Sequence, residues 1–147
     1  MSFLMLNFNE LIVFLNKIML KTQSKVIKSI QMLDGNICEV IFKDKVKIEL
    51  EDMRESFELV NTFTNHMPVK KLVITGANTE ITKEARLFGH EASLKVKHNV
   101  IAEAIIVHSL YQKMVINFYS KFIKDNYPTS FFVDIEKAKE WLKSIPN

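Results

Sequence analysis

The side chains in this 147-residue chain with the widest chemical repertoire are four histidines, His66, His90, His98 and His108, and one cysteine, Cys38. No two histidines stand four residues apart, so none forms the paired ligand set of a helical zinc site, and no second cysteine exists to complete one. His108 is followed by Ser109 at the carboxyl end of an apolar run. Thr75, Asn78 and Asp134 are expected along the same edge, where open α/β sheets place ligands. A Ser-His-Asp reading of that edge is weak, because adjacent side chains diverge and no G-x-S-x-G elbow is present. His108 reads as a loop residue and Ser109 as a helix cap. The glycines are Gly35, Gly76 and Gly89, which build neither G-x-G-x-x-G nor a P-loop. No catalytic residue, cofactor or metal ligand is assigned, and an enzyme is not expected.

A second kind of chemistry lies in residues 70–97. An apolar strand containing Leu72, Val73 and Ile74 runs into a loop and then a helix over 81–97. At about 100° per residue, Ala85, Phe88, Ala92 and Val96 share one side. Lys83, Arg86, Leu87, His90, Leu94 and Lys97 share the other. A helix that only covers a sheet needs one apolar stripe. Leu87 and Leu94 inside a basic rim predict a contact face for an acidic protein partner, with the rim charges steering association. The plain alternative is a solvated face with two exposed leucines, which is common.

The helix expected from Leu110 carries Tyr111, Met114, Val115, Phe118, Tyr119 and Phe122 over about half its circumference. Core packing accounts for it. A pocket for a small apolar, lipid-like ligand beside Met114, Phe118 and Phe122 is the alternative.

The elements that must hold these residues are legible in outline. Residues 25–33 and 37–42 flank Asp34-Gly35-Asn36, a strong hairpin signal. Val46, Ile48 and Leu50 alternate with charges and read as a third strand. Glu51 and Asp52 then suit a helix N-terminus. Its buried stripe is Met53, Phe57, Val60 and Thr64, and it ends near His66, ahead of Pro68. Strand and helix alternate afterwards: a strand over 69–75, the helix over 81–97, a strand over 100–107 apolar enough to be buried on both faces, a helix over 110–124, a strand over 129–133. Asp134 caps a last helix whose Ala138, Trp141, Leu142 and Ile145 face inward. Such alternation predicts a mainly parallel sheet of five or six strands with an antiparallel N-terminal hairpin.

Composition narrows the classes further. Hydrophobic residues make up 48% and charged residues 25%, values that suit a globular domain with a real core. The net charge is +3, and Lys and Arg total 20 with arginine only at 54 and 86. Nucleic-acid readers cluster their basic residues and use arginine forks, so a nucleic-acid partner is not expected. One cysteine, read as a half-buried structural thiol, fits a reducing, cytoplasmic setting.

Residues 1–23 read as an amphipathic helical extension ahead of a domain over 24–147. Leu4, Phe8, Leu11, Ile12, Leu15 and Ile18 recur at helical spacing. Asn7, Asn9, Glu10, Asn16 and Lys17 interrupt the run, so it is a poor membrane span. It packs on its own domain or forms a homodimer seam; in another reading translation starts at Met19.

The order of elements, and the closing TSFFVDIEKAKEWLKSIP with Phe132, Asp134, Ala138, Trp141 and Leu142, resemble small bacterial proteins of the STAS-like (SpoIIAA-like) group. These are related in fold to anti-sigma-factor antagonists. The resemblance covers roughly residues 24–145. It implies a non-enzymatic regulatory module that contacts a protein partner through the helix after a central strand. In that group a phosphorylatable Ser sits at this helix N-terminus and switches the contact. Here the usual Asp-Ser-Ser/Thr-Gly run is missing. Lys83 or Glu84 stands about where the Ser would fall, leaving Thr79 and Thr82 as hydroxyls for a loop switch, with Thr82 also suited to capping.

Overall fold

The computed structural model describes residues 7–12, 15, 24–95, 99–109, 113–114 and 127–147, with backbone alone at 93–95. β1 (Ile27–Leu33) and β2 (Ile37–Phe42) form the antiparallel hairpin, with Leu33 paired to Ile37. Gly35 and Asn36 turn it at φ of 85° and 61°, left-handed backbone that these two residue types tolerate best. Then follow β3 (Lys47–Ile48), α1 (Leu50–Phe63), β4 (Val69–Ile74), β5 (Glu80–Ile81), α2 (Lys83–Lys95), β6 (Val100–Ile106), β7 (Thr129–Phe132) and α3 (Ile135–Ser144).

Five strands make one sheet in the order β1-β2-β4-β6-β7, parallel throughout except at β1-β2. This is the mixed, mainly parallel α/β sheet with an antiparallel leading hairpin that the strand and helix alternation predicts.

Neighbouring residues of a strand face opposite ways, and the sheet uses both faces. Cys38, Val40 and Phe42 join Ile30, Val60, Phe63 and Val69 under α1. Ile37 and Leu72, with Ala102, Ala104 and Ile106, join Ala138 and Leu142 under α3. Small alanines on β6 let α3 sit close to the sheet; Ala102, Ala104, Ala138 and Leu142 have no solvent exposure. Asp134 Oδ1 accepts the N–H groups of Glu136 at 2.8 Å and Lys137 at 3.3 Å, which satisfies two donors that an uncapped helix leaves free.

Three details of the strands differ from the sequence reading. The expected third strand contracts to β3, and Leu50 begins α1 instead; Asp52 Oδ2 accepts the Glu49 N–H at 2.9 Å and fixes that start. Ile81 belongs to β5, not to the following helix. β3 and β5 pair in parallel, Lys47 with Glu80 and Ile48 with Ile81, as a separate two-stranded sheet. Burial decides this: Ile48 is fully buried and Ile81 packs against the α1-side core. β6 is fully buried on one face only. Its alternate residues Ile101, Glu103 and Ile105 are half-buried, and Glu103 accepts the Tyr127 hydroxyl at 3.0 Å. Cys38, read as half-buried, is wholly buried.

Candidate functional site

α2 begins where Thr82 Oγ1 accepts the Ala85 N–H at 3.2 Å, so the Thr82 hydroxyl works as a cap. Ala85 is buried, and Phe88 leans on α1. Its ring meets Phe57 edge to face at 5.7 Å and 88°, and the Arg54 guanidinium lies over it at 5.1 Å. Edge-to-face rings and a cation over a ring are both favourable, so this seam sets the roll of α2 about its axis.

That roll turns Leu87 outward. Leu87 is 52% exposed, a large apolar side chain beside the exposed Lys83 and Arg86. Arg86 Nη1 donates to the Ile81 carbonyl at 3.2 Å, which ties its side chain back over the helix start. His90, one turn on from Arg86, is half-buried. The side chain of Leu94, and Lys97 altogether, lie outside the described residues. Four of the six expected contact residues therefore share one stretch of helix, with Leu87 its most prominent apolar member.

The loop leading to α2 is clamped. Asp44 Oδ1 accepts the Asn78 N–H at 2.9 Å and the Lys45 N–H at 2.9 Å. Thr79 Oγ1 donates to the Lys43 carbonyl at 3.0 Å. The hydrogen bond from the Asn78 N–H holds the Asp44 carboxyl below its ordinary value. The Lys45 N–H and the charges of Lys45 and His108 act the same way, and the partial desolvation opposes them. Gly76 lets the two loops touch: a Cβ there would sit 2.6 Å from Asp44 Cα, 2.6 Å from Thr79 Oγ1 and 2.9 Å from the Lys43 carbonyl. The sequence reading missed Asp44 and Gly76 as a pair. The available signal was a glycine just past a buried strand, which marks close backbone approach.

Of the residues expected together on the carboxyl edge, His108 and Thr75 meet, whereas Asn78 is bonded to Asp44 and Asp134 to its own helix start. The His108 ring Nε2 contacts the Thr75 carbonyl. Ser109 O accepts the Lys113 N–H at 3.0 Å, as a residue opening a helix does. Asp134 caps α3. Among the described residues no three His, Cys, Asp or Glu side chains are grouped to hold a metal ion. Of the apolar-ligand residues, Met114 is 69% exposed, and Phe118 and Phe122 lie outside the described residues.

Among the described residues, a five-stranded sheet with a leading hairpin, α1 on one face with α2 packed against it, and the capped α3 on the other face make a small α/β domain with a STAS-like, SpoIIAA-like fold. A solved structure agrees: the crystal structure of an uncharacterized protein from the DUF3478 family with a SpoIIAA-like fold, from Shewanella loihica PV-4. It matches with a TM-score of 0.59 at 18% identity, over 79% of this chain and 91% of that one. The chain belongs to the family described as Domain of unknown function (DUF7793), whose model matches residues 30–146. No curated protein matches it. Among the described residues no helix is long and apolar enough to cross a membrane.

Proposed function

We propose that this chain is a non-enzymatic regulatory module of the cytoplasm that docks a protein partner through the outward side of α2. The observation that carries the reading is Leu87: it is 52% exposed on a helix whose other side is already anchored by the Phe57–Phe88 contact. Core packing does not account for a leucine in that place. Lys83 and Arg86 beside it suit an acidic partner surface, where complementary charge raises the rate of encounter and fixes orientation. Thr82 is occupied as a cap and Thr79 as a donor to Lys43, so the module reads as a constitutive contact more than a phosphorylation switch.

The test is affinity capture with the full chain against Leu87→Glu, with circular dichroism to confirm that the variant folds. Partners that bind the wild type and are lost with the folded variant support the reading. Partners retained in full by the variant contradict it.

A further inference from the structure

The partner that the outer face of α2 meets has its chemistry in the chain itself. Phe88 marks the side of α2 turned to α1, and residues three and four positions away share that side. Those are Ala85, buried, and Ala92, half-buried, with Glu84 and Glu91 exposed at the margin of that side. On α1, Glu51, Glu55 and Glu58 succeed one another at four and three residues and are exposed together. Arg54 is the basic residue within this band. It is engaged with Glu51 at 3.4 Å and with the Phe88 ring. Lys83 and Arg86 form the opposite flank of α2 with His90. Leu87 stands between the two flanks, one helical turn from Glu84 and Glu91 and one turn from Lys83 and His90. The helical face is thus divided into an acidic band and a basic flank with an exposed leucine on the border.

We infer that this divided face is self-complementary and pairs two copies of the chain about a two-fold axis. The basic flank of each copy meets the acidic band of the other, and the two Leu87 side chains lie near the axis. A two-fold interface brings the same patch from both copies, so a patch holding both signs side by side matches itself, whereas a patch of one sign repels its copy. The inference rests on the reading of the α2 face as a docking surface and names its occupant. Helices of 14 and 13 residues give a face about 20 Å long and two helices wide, about 400 Å². That is below the ~800 Å² per partner of a standard interface, so the pair forms reversibly and at elevated concentration.

The experiment is sedimentation of the full chain from low micromolar to several hundred micromolar, at low and high salt. The wild-type mass is expected to climb from 17.1 kDa toward twice that value and to fall back in high salt. Lys83→Glu with Arg86→Glu should stay monomeric alone, and so should Glu51→Lys with Glu55→Lys and Glu58→Lys. An equal mixture of these two variants should recover the dimer, because the reversed flank of one then meets the reversed α1 residues of the other, while the unchanged band and flank still meet as opposite charges. Circular dichroism checks that each variant folds. A wild type that stays monomeric at every concentration overturns the inference, as does a dimer that survives both charge reversals or a mixture that does not recover. A monomeric wild type that still loses a captured partner on Leu87→Glu would overturn this pairing alone and leave the docking surface standing.

Discussion

Asp44 Oδ1 accepts the backbone N–H of Asn78 at 2.9 Å, joining the turn after β2 to the loop after β4 across 34 positions of sequence. The bond sits beside Gly76, where the two loops touch, and just ahead of the β3–β5 pair that leads into α2. The placement of α2 therefore depends on a clamp of two short loops at the carboxyl ends of β2 and β4.

The clamp has an acid limb. The Asn78 N–H and the neighbouring charges favour ionised Asp44, so its folded-state pKa lies below the ordinary 3.8. A group with a depressed folded pKa contributes stability above its unfolded value and loses it as pH falls through the folded one. Asp44→Asn should lower the denaturation midpoint at neutral pH, where the ionised carboxylate contributes, and converge on the wild type in acid below about pH 3.8, so that its own decline is flatter, as followed by urea titration at a series of pH values.

Gly76→Ala tests the close approach itself. The added Cβ meets backbone atoms of Lys43 and Asp44, which cannot swing aside as a long side chain can. A loss of about 1–3 kcal/mol in urea denaturation is expected, the range for forced overpacking. Gly89 lies inside α2, and a Cβ added there would meet nothing within 4 Å, so Gly89→Ala should stabilise by up to about 1 kcal/mol through helix propensity.

Two leucines separate packing from contact. Leu142 is wholly buried against Ala102, Ala104 and Leu72, and Leu142→Ala should cost about 2–5 kcal/mol. Leu87→Ala should fall within about 0.5 kcal/mol of the wild type, the usual range at an exposed position. A large loss at Leu87 in thermal or urea unfolding would mean that its side chain belongs to the core.

Asp134→Ala removes the acceptor of two N–H groups at the start of α3 and should cost about 1 kcal/mol, recovered in good part by Asp134→Ser. Thermal unfolding followed by circular dichroism reads both variants.

The sequence was most legible where one local signal met one periodic pattern. β2 falls over Ile37–Phe42 as the alternation after Asp34-Gly35-Asn36 indicates, and Asp134 starts α3 with Ala138 and Leu142 inward. It was least legible at β3 and β5. Two residues each are too few to show a period, and their pairing joins positions far apart in sequence. The same shortness hid the boundaries at Leu50 and Ile81, whose apolar side chains fit a strand or a helix equally well. For the proposed contact face, helical spacing placed Lys83, Arg86 and Leu87 together on the outside. It did not show the acidic band, because Glu51, Glu55 and Glu58 lie on another helix, and it is the contacts of Phe57 and Arg54 with Phe88 that relate the two surfaces.

The outward side of α2 can be tested directly by replacing Leu87 with a photoreactive benzoyl-phenylalanine in the full chain and irradiating intact cells that produce it. The same probe at Met32, an exposed residue of β1, serves as the reference. The account predicts a discrete cross-linked product from position 87 and none of that mass from position 32; a product of twice the chain mass would identify a second copy, and a different mass another protein. Position 87 giving no adduct, or the same adducts as position 32, would contradict the claim that this side of α2 is a contact surface.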